Sequence, residues 1–158
     1  MPERENTKRS CLLLKDLTRK DKELWLKDLE YSIKNAKELY EAGFYDMAML
    51  CIQLAVEKAL KAAVADFKGQ EPPKDHNLAR LYFRVKDKVI FSEEQVSFLR
   101  RLTDEAYATR YMDISFRNPR EMYTKERTKD YMQKAMQIIK QIKSSMGVQE
   151  SGDESNNG

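Results

Sequence analysis

The stretch GFYDMAMLCIQLAVEKALKAAV, residues 43–64, constrains this chain more than any other. Phe44, Ala48, Cys51, Ala55, Ala59 and Ala62 recur at three or four residues, which makes one stripe along a helix predicted over about 44–68. Most of that stripe is alanine, so a neighbouring helix can approach closely along it. A chain built around such a segment has to supply helices to cover it.

The rest of the sequence supplies them. A first helix is predicted over about 21–42, where Trp25, Leu29, Ile33, Ala36 and Leu39 share a face and Gly43 provides the stop. After the second helix, KGQEPPKD ends helical structure, because Gly69 terminates and Pro72-Pro73 cannot continue. Asp75 is then the expected N-cap of a third helix over about 76–89, with Leu78, Leu81, Tyr82, Val85 and Val89 inward. Ser92 and Gln95 in SEEQ form a capping box, with Glu93 and Glu94 where the helix dipole favours negative charge. That fourth helix should run to about 107 through Val96, Leu99, Leu102 and Ala106. A last helix carries Met132, Ala135, Ile139, Ile142 and Met146. Between the two, NPRE offers Asn118 as a cap, Pro119 at N1 and Glu121 bonding back, enough for a helical turn of its own.

With five glycines, four prolines and no long alternating β-branched run, the fold class read from the chain is all-α. Short connections favour antiparallel neighbours, hence an up-down bundle of four to five helices. The organisation expected is an N-terminal arm at 1–20, the bundle at 21–147 and a disordered polar tail at 148–158. Leu12, Leu13 and Leu14 are read as packing the arm on the bundle or on a second copy.

Charge excludes more than it assigns. Lys and Arg number 29 against 26 Asp and Glu, so the overall balance of +3 makes no case for nucleic acid. Removing the acidic end, with Glu150, Asp153 and Glu154, leaves a modest +6 upstream. The longest early apolar run, Cys11 to Leu14, is far too short for a signal segment or a membrane span, so a soluble, cytoplasmic chain is expected. Cys11 and Cys51 read as two reduced thiols. There is no phosphate-cradling glycine loop, no metal-ligand cluster, no serine elbow, no Glu-x-x-His pair and no helix-turn-helix spacing.

Two groups of residues carry chemistry. On the second helix Gln53, Glu57 and Lys61 project from one side at i, i+4 and i+8, with Lys58 beside them. They form either a solvated flank, in which Glu57 and Lys61 contribute about 0.2–0.5 kcal/mol, or a row that faces Arg110 or a partner chain. Residues 110–129 hold Arg110, Arg117, Arg120, Lys125, Arg127 and Lys129 against Asp113, Glu121 and Glu126, with Tyr111, Phe116 and Tyr123 interleaved and Tyr107 just before. Guanidinium groups grip phosphate and aromatic faces stack bases. The same residues would equally serve structure, with Arg110 paired to Asp113 or Glu57 and the tyrosines covering the core edge. His76, the only histidine, is read either as bonded to a neighbouring carboxylate or backbone group, or as a base placed near Arg110.

The ordered set GFYDMAMLCIQLAVEKALKAAV, DHNLARL and ATRYMD, across about 22–146, resembles the HEPN family. The resemblance implies a four- or five-helix up-down bundle, usually a homodimer, similar to the helical domain of kanamycin nucleotidyltransferase. Many such proteins are encoded beside a small nucleotidyltransferase in toxin–antitoxin pairs, and others are ribonucleases. The ribonuclease branch has an arginine followed after four to six residues by a histidine. Counting from Arg110, that position falls on Ser115, Phe116 or Arg117, so the pair is incomplete. RYMD instead resembles the family's Arg-Tyr-Pro-Asp form, with Met112 in place of proline. The function expected is therefore a non-catalytic component that binds a nucleotide such as ATP, or a nucleotidyltransferase partner, through Gln53, Glu57, Lys58, Lys61, Arg110, Tyr111 and Asp113. The alternatives are a metal-independent ribonuclease using Arg110 and His76, with RNA as substrate, or a purely structural helical interaction module. No metal and no resident cofactor is called for.

Overall fold

The computed structural model of the chain describes the backbone of residues 3–110 and 119–150 and the side chains of 21–109 and 121–150. Its helices are α1 (Glu3–Glu41), α2 (Tyr45–Lys68), α3 (Leu78–Phe83), α4 (Glu93–Arg110), α5 (Pro119–Met122) and α6 (Lys125–Ser145). No strand occurs among the described residues.

Helix α2 is the centre of the bundle and packs against α1, α3, α4, α5 and α6. The alanine stripe explains why one helix can serve so many neighbours: Ala48, Ala55, Ala59, Ala62, Ala63 and Ala65 are all buried, and none holds a partner helix away. Larger side chains between them, Met49, Ile52, Val56, Leu60 and Val64, fill the spaces and join the core with Leu29, Leu81, Leu99, Leu102, Ile139 and Ile142. Phe44 departs from the expected stripe. It is the residue before α2 and 58% exposed, because the turn from α1 carries its side chain outside the helical register.

The helices alternate in direction as the short connections require. Lys22 pairs with Asp66 at 3.1 Å and Asp28 approaches Lys58 at 3.8 Å, so α1 and α2 run antiparallel. Gln95 bonds Gln141 at one end of α4 and Arg127 pairs with Glu105 toward the other, so α4 and α6 do the same. Gly43 makes the first reversal with φ +84°, and Gly69 closes α2 in the left-handed conformation with its N–H on the carbonyl of Ala65.

Two expectations about boundaries need correction. The first helix begins at Glu3, since 3–20 contains no breaker and continues α1. The third helix is Leu78–Phe83, shorter than 76–89, and its N-cap is Asn77, whose side chain accepts from the Arg80 N–H at 3.0 Å. Asp75 does not cap, because its carboxylate is occupied by the Arg80 guanidinium at 2.7 and 2.8 Å and by the Asn77 N–H at 3.0 Å. The early stop after Phe83 has its own cause. The Phe91 N–H donates to the Tyr82 hydroxyl at 3.1 Å and the two rings stack at 4.6 Å, drawing the chain back in turns that still bury Val85 and Val89. The capping box behaves as read: Ser92 N–H donates to Gln95 Oε1 at 2.9 Å, and Gln95 N–H donates to Ser92 Oγ at 3.2 Å. The helical turn anticipated at NPRE is α5, beginning on Pro119, while Asn118 lies outside the described residues. The tail at 151–158 also lies outside them.

Candidate functional site

The polar row of α2 is not a solvated flank. Gln53, Glu57 and Lys61 retain 1%, 1% and 5% of their surface, so that reading is overturned. Three groups converge on the Glu57 carboxylate: Lys61 Nζ at 2.8 Å, Gln53 Nε2 at 3.3 Å, and His76 Nδ1 at 3.1 and 3.2 Å from its two oxygens. A buried carboxylate is tolerated only when paired and hydrogen-bonded, and here the row and the loop after α2 supply both. The spacing that sequence could see, i and i+4, brought Gln53 and Lys61 to Glu57. The third partner comes from nineteen residues away, placed there by the Gly69 and Pro72-Pro73 turn.

Gln53 also fastens that loop. Its Nε2 donates to the His76 carbonyl at 3.1 Å. Both neighbours of Nε2 are acceptors, which fixes the orientation of the amide and leaves Oε1 buried without a partner among the described residues. His76 precedes α3 instead of sitting in its first turn, and its side chain stays 56% exposed although its Nδ1 is engaged. The reading of His76 as bonded to a carboxylate is the arrangement found.

Trp25, which sequence grouped with the core, lies at the edge of this row. Lys58 and Lys61 hold their ammonium groups 4.9 and 5.3 Å from its ring centroid. The open side of the indole lines a cleft of about 320 Å³ with Leu24, Pro72, Asp21, Asp28 and Glu71. Sequence reasoning missed Trp25 as a site residue; the signal would have been its place opposite Lys61 in an antiparallel α1–α2 pair.

The other group of predicted site residues is at the end of α4. Tyr111 and Asp113 lie outside the described residues, as do Ser115, Phe116 and Arg117, and the side chain of Arg110 does as well. The backbone position of Arg110 is described, and it can be placed. Leu78 N–H, at the end of the His76 loop, donates to Thr103 Oγ1 at 3.2 Å. Arg110 follows Thr103 by seven positions, two helical turns and about 10 Å along the axis, on the same face of α4. The face of α4 that meets the His76 loop therefore ends at Arg110.

Farther along the 110–129 segment Tyr123 and Arg127 serve structure. Tyr123 is 3% exposed and its hydroxyl donates to Glu105 Oε2 at 2.7 Å, while Arg127 pairs with the same carboxylate and lies over Tyr123 and Tyr131. Burial, aided by the Glu105 bond, pushes the Tyr123 phenol above its ordinary range. Burial also pushes the Cys51 thiol up, and Cys51 is free; the side chain of Cys11 lies outside the described residues. No group of His, Cys, Asp and Glu among the described residues could hold a metal ion. Among them, too, no helix is long and apolar enough to cross a membrane.

Comparison with known proteins fits this architecture. A family model for the HEPN domain matches residues 22–145, and the chain belongs to the HEPN domain family. Among solved structures, TT1696 from Thermus thermophilus shares the fold with a TM-score of 0.70 at 22% identity, over 78% of this chain and 97% of its own. ST0689, described as an archaeal HEPN homologue, gives a TM-score of 0.64 at 21% identity, over 79% of this chain and 97% of its own. At such identities the likeness is one of fold. No curated protein matches the chain.

Proposed function

We propose that this HEPN protein is a non-catalytic binding component: a homodimer that takes up a nucleotide such as ATP, or a small nucleotidyltransferase partner, in a system of the toxin–antitoxin type. In this reading Arg110 and Lys58 meet phosphate and Tyr111 offers a stacking face, with Asp113 in the same site. Gln53, Glu57 and Lys61 form the buried wall behind His76. One observation supports the reading most: the Gln53–His76 bond and the Leu78–Thr103 bond gather the polar row, the sole imidazole and the face of α4 ending at Arg110 around one loop. A guanidinium at that end gives the bidentate phosphate recognition that lysine cannot.

The test is thermal unfolding with millimolar ATP, since a ligand that binds only the folded state raises the melting temperature. A rise in the wild type that disappears in Arg110→Ala is expected. No rise, together with no association with a nucleotidyltransferase encoded beside this chain, removes the reading.

A second reading, metal-independent cleavage of RNA by Arg110 and His76, is favoured by one specific feature. A buried carboxylate on Nδ1 with the rest of the ring exposed is how a general base is oriented. It requires RNA cleavage that persists in chelator and is lost in His76→Ala and in Arg110→Ala.

A further inference from the structure

We infer that the groove between α4 and α6 binds a dipeptide with free termini: Arg101 and Lys134 hold its carboxylate, Glu94 its ammonium and Gln137 its peptide group, over a floor of Phe98 and Ile138. None of these residues belongs to the site around His76, so the groove is a second site.

Helices α4 and α6 run antiparallel over α2, and side chains tie them together at both ends of the groove. Gln95 Nε2 donates to Gln141 Oε1 at 2.9 Å at one end, and Arg127 pairs with Glu105 toward the other. Between these ties lies a cavity of about 160 Å³, floored by Phe98 and Ile138, which keep 3% and 2% of their surface. The Gln95–Gln141 bond sets the level of each wall. Arg101 is six positions on along α4 and Lys134 seven back along α6, about 9 and 10.5 Å from that bond, so the two cations stand at one level on opposite walls. Gln137, four back, is close to the level of Phe98, three on. Glu94 precedes Arg101 by two turns, about 10 Å along the same face.

These polar groups are not engaged with one another. Glu94, Arg101 and Gln137 make no hydrogen bond or ion pair among the described residues. Lys134 donates once, to Asp130 at 3.0 Å, which leaves two of its three donors. Two cations facing each other across a groove are served best by an anion between them, and Glu94, two turns away, is too far to be that anion. A charge standing alone on a helix needs only water. Here opposite charges and an amide border one concave apolar floor, which is the pattern of a site that orients a small ligand.

Size and spacing select the ligand. The cavity is well below the roughly 300–1,000 Å³ of drug-sized pockets. An extended chain covers about 3.3–3.6 Å per residue, so two residues span about 7 Å and leave room for a hydrogen bond at each end between groups about 10 Å apart. A single amino acid falls short, and a tripeptide overshoots. Arginine matches a carboxylate bidentately, and the Gln137 amide carries both a donor and an acceptor for a peptide group midway along.

The experiment measures binding of leucyl-leucine to the full chain by calorimetry at millimolar ligand, beside its N-acetyl derivative, its C-terminal amide and free leucine. Blocking either end should weaken binding roughly three- to tenfold, the range of one charged contact at a partly exposed site, and free leucine should bind no better than the blocked forms. The two walls are then separated by variants at exposed positions, where the fold is not at stake. Arg101→Gln should make leucyl-leucine and its amide equal while the acetyl derivative stays weaker. Glu94→Gln should make leucyl-leucine and the acetyl derivative equal while the amide stays weaker. No binding of leucyl-leucine, equal affinities for the free and blocked forms, free leucine binding as tightly as the dipeptide, or discriminations that survive both variants overturns the inference.

Discussion

Lys61 Nζ lies 2.8 Å from Glu57 Oε1, one turn back along α2, and the two side chains keep only 7% and 2% of their surface. The same i, i+4 spacing on an exposed helix contributes a few tenths of a kcal/mol. Sealed inside a bundle, it becomes a pair in which neither member can lose the other cheaply.

Lys61→Met should therefore destabilise the fold by about 3 kcal/mol, because it strips a buried carboxylate of its lysine partner. The paired replacement Glu57→Leu with Lys61→Met should cost much less than the two single changes added together, since apolar groups of similar volume carry no stranded charge. Urea denaturation of the three variants measures both. A cost below about 1 kcal/mol for Lys61→Met, the value of a surface pair, would contradict the buried placement.

Why sequence left that row undecided is instructive. Periodicity reports which residues share a side of a helix, and it placed Gln53, Glu57 and Lys61 together correctly. Whether that side meets water depends on what the next segment does, and α2 has neighbours all round. The capping box at Ser92 and the core faces of α3 and α6 were legible because their determinants are local or strictly periodic. The end of α3 was not, because it is set by a Tyr82–Phe91 contact made after the chain has turned. His76 shows the same limit: its partner is a loop's length away, and only the path of that loop reveals it.

The alanine stripe gives a second prediction. Ala59 has no exposed surface and sits on the helix that every other helix touches. Ala59→Leu changes helix propensity little but forces extra volume into a fully buried position, at about 1–3 kcal/mol. The same change at Glu41, exposed at the end of α1, should stay within about 0.5 kcal/mol. Similar costs at the two sites, read from urea midpoints, would show that the close approach of helices on α2 tolerates bulk.

Acid stability should depend on the loop that carries His76. The Arg80 guanidinium, with help from the Asn77 N–H, holds the Asp75 carboxyl well below the usual carboxylate range. A free aspartate titrates near about 3.9, so the folded value lies below the unfolded one. The stabilisation is fully present above the unfolded value and is lost as pH falls through the folded value. Asp75→Asn should be the less stable protein near neutrality, and its deficit against wild type should shrink as pH is lowered from about 6 to about 2. Urea titrations along that range give the curve, and a constant deficit would mean the carboxyl is not tied in the folded state.

At the alkaline end the sign reverses, and Tyr123 carries it. Burial, and then the bond to Glu105, raise its phenol above the ordinary value of about 10. The folded state thus keeps a proton that the unfolded chain gives up first. Stability from this group is intact below about pH 10 and drains away as pH climbs from there through the folded value. Tyr123→Phe removes the titration and also the hydrogen bond to Glu105, which leaves that carboxylate to Arg127. The variant should be about 1 kcal/mol less stable at neutral pH, yet lose stability more slowly than wild type above about pH 10. Denaturation midpoints across the alkaline range, with phenolate absorbance as the direct titration, decide it. Parallel curves for the two proteins would place the Tyr123 hydroxyl in water, and Glu105 would then need another partner at the foot of α6.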